Sequence, residues 1–189
     1  MNTLLRINIP NLITLARIVA VPVIVWLILD DDLLLAFWLF FAAGVSDALD
    51  GYIAKKFDCQ TEMGAFLDPL ADKALLVTAY LTLGYKGIIA TWLVILVVFR
   101  DVIIIGGAML FQAVTQTLQM EPLMISKANT LAQIMLIGVV LGGLGYGLEA
   151  ETNAANQILT IIVAATTVAS GAAYVYKWGR KASDIERDG

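Results

Sequence analysis

Apolar runs of bilayer length, separated by only a few polar residues, constrain this chain more than any other feature. A helix needs about 20 predominantly apolar residues to cross the hydrocarbon core of a membrane. Six runs qualify, at residues 11–29, 33–55, 68–85, 88–116, 123–146 and 153–178. The expectation is an all-α, polytopic integral membrane protein with six transmembrane helices. Composition agrees: 60% of residues are hydrophobic and the mean hydropathy is +0.84, whereas soluble domains are nearer 45–50% apolar. With no internal repeat, low-complexity tract or linker, residues 1–189 read as a single domain. The third and fourth runs are parted by a short turn at Tyr85, Lys86 and Gly87, and the fourth is long enough to project beyond the bilayer. The first run is long for a secretory signal and lacks a small-residue cleavage site, so it reads as a retained helix. Residues 1–9 are expected to form a short interfacial segment.

Six crossings put both termini on one side. Arg6, Lys55 and Lys56 in the 2–3 connection, and Lys177, Arg180, Lys181 and Arg187 in the tail fall on that side. The opposite side carries Asp30, Asp31, Asp32, Glu149 and Glu151, with Lys86 as its only base. The positive-inside rule places the termini in the cytoplasm or its organellar equivalent, which suits a bacterial or mitochondrial inner membrane. A net charge of −4 argues against a nucleic-acid partner. Cys59 is the only cysteine, which excludes an intrachain disulfide. With no histidine in the chain, a bound metal would rest mainly on oxygen, which favours Mg²⁺, Mn²⁺ or Ca²⁺ over structural zinc.

Charged side chains inside membrane spans are costly and by default mark function. Here they cluster towards the cytoplasmic side: Arg17 in helix 1, Asp47 and Asp50 in helix 2, Asp68, Asp72 and Lys73 at the start of helix 3, Arg100 and Asp101 in helix 4, and Lys127 opening helix 5. Interhelical ion pairs and snorkelling ends are the plain structural reading, and it serves for Arg17 or Asp101 singly. It serves poorly for four aspartates, which repel one another in low dielectric unless a cation compensates them.

Spacing points to a common site. Asp47 and Asp50 are i, i+3 and share a helix face, which Gly51 and Ala54 continue with almost no side chain. Gly64, Asp68 and Asp72 recur every four residues as one stripe, and Pro69 is expected in the first turn of helix 3. Two helices with two carboxylates each make a plausible cage for two divalent cations. The small residues would leave room for a phosphate-bearing ligand, or else serve close helix packing.

The stretch from Asp47 through Asp50, Gly51, Ala54 and Lys55, followed after eight residues by Gly64, Asp68 and Asp72, resembles the signature of the CDP-alcohol phosphotransferases, D-x2-D-G-x2-A-R-x8-G-x3-D-x3-D. Lys55 stands where arginine is usual, keeping the charge but losing the bidentate fork. The resemblance implies that Asp47, Asp50 and Asp68 hold metal, Mg²⁺ or Mn²⁺ in a two-metal site. It implies that Asp72 contacts the second metal and acts as general base. Gly51, Ala54 and Lys55 would line the cytidine diphosphate site, with Gly64, Asp47 and Asp50 beside them. It also implies six helices and a homodimer.

Shorter motifs narrow the resemblance. Ile9-Pro10-Asn11-Leu12 with Thr14 and Arg17 is similar to the start of phosphatidylglycerophosphate synthases and of CDP-diacylglycerol-dependent cardiolipin synthases. Arg100-Asp101, the run Ser126-Lys127-Ala128-Asn129-Thr130 with Gln133, and Trp178-Gly179-Arg180-Lys181 resemble the latter more. Glycerophosphate-using relatives tend to show Arg-Glu and Lys-x-Lys-Thr at the first two. The implied reaction moves a phosphatidyl group from CDP-diacylglycerol to phosphatidylglycerol, giving cardiolipin and CMP. Arg100, Lys127 and Asn129 would meet the acceptor, although Arg100 and Lys127 could instead be structural partners of Asp101. Phosphatidylglycerophosphate synthesis from glycerol 3-phosphate is the alternative within the family. An ion-coupled transporter and a non-catalytic membrane scaffold are alternatives outside it. Gly106, Gly107, Gly142, Gly143, Gly145 and Gly147 would allow close helix approach, within the chain or at a dimer interface.

Overall fold

The computed structural model describes residues 3–57, 62–115 and 123–188, with side chains over 14–46, 73–107 and 123–180. Six α-helices occupy these residues: α1 (Thr3–Leu29), α2 (Leu33–Phe57), α3 (Glu62–Tyr85), α4 (Thr91–Thr115), α5 (Met124–Gly145) and α6 (Glu149–Asp188). The described residues contain no strand, and the six helices follow the six apolar runs. Several ends differ from expectation, because the backbone keeps its i→i−4 bonds beyond the point where apolarity stops. α1 begins at Thr3, so residues 3–9 belong to this helix rather than to a separate interfacial segment. Lys55 and Lys56 belong to the last turn of α2, not to a connection. α3 begins at Glu62, which puts Pro69 well inside the helix, where its missing amide leaves the carbonyl of residue 65 without its usual partner. The 40 residues of α6 give about 60 Å at 1.5 Å per residue, twice the hydrocarbon thickness of a bilayer.

The chain divides into two compact units. The first comprises Met1–Ile89 and Ile137–Asn153. In it α1 packs against α2 and α3. Each helix offers a stripe at helical spacing: Ile24, Leu27 and Ile28 from α1, Ala36, Phe40 and Ala43 from α2, and Leu76, Tyr80 and Leu83 from α3, all buried. Three helices here end alike. Asp32 N–H bonds to Leu27 O at 3.0 Å, Ile88 N–H to Leu83 O at 3.0 Å and Leu148 N–H to Gly143 O at 2.7 Å. Each is the 6→1 bond of a Schellman ending, with the residue before it left-handed: Asp31 (φ 65°), Gly87 (φ 72°) and Gly147 (φ 70°). Asp31 lacks glycine's freedom there. It is held by an ion pair with Lys86, whose ammonium also donates to Leu29 O at 3.2 Å. Asp32 then caps α2 by accepting Leu35 N–H at 3.3 Å.

Three glycines of α5 serve contacts within the chain. A Cβ at Gly145 would lie 2.7 Å from the Leu34 backbone, one at Gly142 would press on the Phe37 ring at 3.2 Å, and one at Gly143 would strike Thr152. The second unit comprises Ala90–Leu136 and Ala154–Gly189. Leu93 and Val97 of α4, Ala132 and Leu136 of α5, and Val163 and Tyr174 of α6 are buried in it. Trp178 lies where a Cβ on Gly107 would be, and stacks at a tilt against Tyr174 with ring centres 5.6 Å apart. Nothing crowds Gly106.

Large apolar side chains also face outward, among them Trp26, Leu81, Ile95, Phe99, Ile161 and Val168. Among the described residues, two helices are long and apolar enough to cross a membrane, Met124–Gly145 and Glu149–Arg180. Thr14–Leu29 and Leu33–Ser46 are shorter apolar stretches.

Candidate functional site

The aspartate motif falls on two consecutive helices. Asp47, Asp50, Gly51, Ala54 and Lys55 belong to the second half of α2, and Gly64, Asp68 and Asp72 to the first half of α3. At 3.6 residues per turn, positions 47, 50, 51 and 54 fit within an arc of about 100°, and positions 64, 68 and 72 within about 80°. Both helices are unbroken across these positions, so the sequence spacing is realised in the backbone register. The side chains of all eight residues lie outside the described residues, as do the contacts they make. Among the described residues no cluster of three or more acidic or thiol side chains forms a metal site. The donor set that fits a hard divalent cation is the set of four carboxylates on α2 and α3.

The predicted acceptor residues lie in the second unit, and the structure treats them differently from one another. Arg100 is only 4% exposed. Its Nη1 donates to Asp101 Oδ1 at 2.6 Å, its Nη2 to Ser126 Oγ at 2.6 Å and to Ser170 Oγ, and its Nε to Ser170 Oγ at 3.2 Å. Asp101 is equally buried, so the ion pair anticipated as the structural role of Arg100 exists. Adjacent helical residues do not normally face each other, and here the long arginine stem, whose Cγ would lie 3.7 Å from a Cβ added at Gly171, makes the pairing possible. Lys127, one residue after Ser126 in the first turn of α5, is exposed.

Asn129 is fully buried. Its Oδ1 accepts the hydroxyls of Thr166 at 2.8 Å and Thr167 at 2.9 Å, tying α5 to α6. Its Nδ2 has no hydrogen-bond partner among the described residues. Gln133, one turn further along α5, is also fully buried, as are Thr14 and Arg17 of α1 in the first unit. Ser126, Thr166, Thr167 and Ser170 were not singled out individually from sequence. Their signal was a set of hydroxyls three and four residues apart on α6, facing polar positions spaced by three on α5.

The described residues thus define the class as a highly apolar helical protein with two aspartates on each of two consecutive helices. Comparison with known proteins makes that class specific. The sequence profile of the CDP-alcohol phosphatidyltransferases matches residues 7–169, and the chain belongs to that family. It is 35% identical, over 91% of its length, to the chloroplastic CDP-diacylglycerol–glycerol-3-phosphate 3-phosphatidyltransferase 1 of Oryza sativa subsp. japonica, covering 57% of that protein. It is 33% identical, over 96% of its length, to the CMP-forming cardiolipin synthase of Homo sapiens, covering 64%. It is 34% identical, over 88% of its length, to the CDP-diacylglycerol–glycerol-3-phosphate 3-phosphatidyltransferase of Cereibacter sphaeroides, covering 76%. The chain thus spans about three fifths of the first two relatives.

Proposed function

We propose that this chain is an integral membrane transferase that moves a phosphatidyl group from CDP-diacylglycerol to phosphatidylglycerol, giving cardiolipin and CMP. The observation that carries the reaction class is the register of Asp47, Asp50, Asp68 and Asp72 on two unbroken helices within a chain of this family. Relatives of both acceptor types match at near-equal identity, so the choice of acceptor rests on the residues themselves. Arg100-Asp101 and Lys127-Ala128-Asn129 carry one cation fewer than the glycerophosphate pattern. A phosphodiester carries one negative charge, against up to two for glycerol 3-phosphate. Phosphatidylglycerophosphate synthesis is the second reading, favoured by the similarity to the rice protein.

In this reading Asp47, Asp50, Asp68 and Asp72 hold Mg²⁺ or Mn²⁺, in a two-metal site. When bound, the metal polarises the pyrophosphate and neutralises charge leaving with CMP. Gly51, Ala54 and Gly64 leave space for the cytidine diphosphate, and Lys55 supplies a point charge to it. Asp72 takes the proton of the acceptor hydroxyl as that oxygen attacks the phosphorus nearest diacylglycerol. The bond to the CMP oxygen breaks, and CMP departs. A carboxylate is a weak base for an alcohol, so positioning must keep ionisation late. Arg100 and Lys127 balance the acceptor's phosphate, and Asn129 belongs to the same site. The six helices cross the inner membrane with both termini on the cytoplasmic or matrix side, and the chain works as a homodimer. Outward-facing large apolar side chains on all the helices with described surfaces support immersion in lipid.

The test is Asp72→Asn in the purified protein. Turnover should vanish while the thermal transition in detergent stays near wild type, and chelation of divalent metal should abolish CMP release until Mg²⁺ or Mn²⁺ is restored. Substantial activity in a folded Asp72→Asn variant would remove Asp72 as the base.

A further inference from the structure

Ser126 and Asn129 are three residues apart on α5, and Thr167 and Ser170 are three apart on α6. Two sets of polar contacts between these helices are therefore stacked three residues, about 4.5 Å, apart. In one, Ser126 and Ser170 grip the Arg100 guanidinium. In the other, Thr166 and Thr167 grip Asn129. We propose that the Thr166–Asn129–Thr167 clamp is a positioning device for Arg100, and that its contribution to catalysis comes at the expense of stability. This rests on Arg100 meeting the anionic headgroup oxygen of a lipid acceptor.

Asn129 is sealed from solvent, so it acts through its neighbours rather than by reaching out of the protein. Its amide is an unfavourable choice for packing alone. Nδ2 lies buried without a partner among the described residues, a state that costs about 1–3 kcal/mol. The orientation of the amide follows from its partners. Thr166 has one hydroxyl hydrogen and also lies 2.7 Å from Ile162 O and 3.2 Å from Val163 O. Thr167 has no other acceptor among the described residues, so its hydrogen belongs to Asn129 Oδ1. Thr167 is thus the dedicated half of the clamp and Thr166 the shared half. Leucine at 129 together with valine at 167 would remove both the stranded donor and the hydroxyl that depends on Asn129, and Thr166 would still be satisfied within its own helix. What would be lost is the bond that fixes the spacing of α5 and α6 three residues from the two serines.

The clamp therefore predicts opposite signs for stability and for acceptor use, which a merely structural residue would not give. Asn129→Leu/Thr167→Val should melt at or above the wild-type temperature. Its KM for the lipid acceptor should rise about tenfold, with KM for CDP-diacylglycerol unchanged. Thr167→Val should repeat the acceptor effect, Thr167→Ser should rescue it, and Thr166→Val should have a smaller effect. These readouts use purified full-length protein in detergent with CDP-diacylglycerol and phosphatidylglycerol. The inference is overturned if Asn129→Leu/Thr167→Val and Thr167→Val leave acceptor KM unchanged, if both KM values move together, or if serine at 167 fails to rescue. Should Asn129→Leu/Thr167→Val not fold, its predicted stability is wrong and the inference falls on that result. A wild-type protein that releases no CMP with any alcohol would overturn the transferase reading itself, whereas a working wild type with unresponsive variants overturns only the clamp.

Discussion

Removing the carboxylate at Asp101 should damage this protein more than removing the ion pair altogether. Arg100 and Asp101 are each 4% exposed, joined at 2.6 Å. Among the described residues, Asp101→Ala leaves the interior guanidinium with serine hydroxyls alone as acceptors. Breaking a buried pair in this way costs about 3–5 kcal/mol. At about 2–4 °C per kcal/mol for a chain of this size, the melting temperature should fall by roughly 6–20 °C. Asp101→Asn keeps a neutral acceptor and should lose about half as much, since charge-assisted bonds are roughly twice as strong as neutral ones. The double variant Arg100→Met/Asp101→Leu removes both charges and fills the space with apolar atoms, which is often neutral or stabilising by about 1–4 kcal/mol. Thermal unfolding in detergent, followed for the wild type, Arg100→Met alone, Asp101→Leu alone and the double, gives the cycle. The double should melt near the wild type yet show impaired turnover, separating the architectural role of the pair from any work Arg100 does on the acceptor. An Asp101→Ala variant within about 2 °C of wild type, or a double variant as unstable as the sum of the singles, would refute this reasoning.

Gly145→Ala should cost about 1–3 kcal/mol, because the added methyl meets the Leu34 backbone at 2.7 Å and a backbone cannot swing aside. Gly107→Ala should cost less, since the obstacle is the Trp178 side chain, and Trp178→Ala in the same chain should relieve it. Both are read as melting temperatures. Asp31→Gly should be close to neutral. It relieves a left-handed residue, worth about 1 kcal/mol, and forfeits an exposed ion pair worth up to about 1 kcal/mol. Lys86→Ala should lose that pair without the relief and so be the less stable of the two.

The number and order of helices were legible because each needs an apolar run, and the turns at Asp30–Asp32 and Lys86–Gly87 interrupt those runs with charge. Helix ends were less legible. Hydropathy senses where lipid stops, whereas the backbone continues its hydrogen bonds into water, as α3 does back to Glu62 and α6 does out to Asp188. The left-handed Asp31 carried no glycine to announce it, and it depends on Lys86, 55 residues away. The aspartate motif was legible as spacing because one-turn intervals map directly onto a helix face. The clamp of Asn129 by Thr166 and Thr167 was not, because hydroxyls on an apolar span barely alter its average character. Only their pairing with a particular α5 residue across 37 and 38 positions gives them meaning.

The most direct test of the central claim is product analysis with purified protein, Mg²⁺ or Mn²⁺, CDP-diacylglycerol and either phosphatidylglycerol or glycerol 3-phosphate, recording CMP and lipid products by mass. The account predicts CMP together with cardiolipin from phosphatidylglycerol. Phosphatidylglycerophosphate from glycerol 3-phosphate, with no cardiolipin, would contradict the acceptor assignment, and the absence of CMP with any alcohol would contradict the transferase reading altogether.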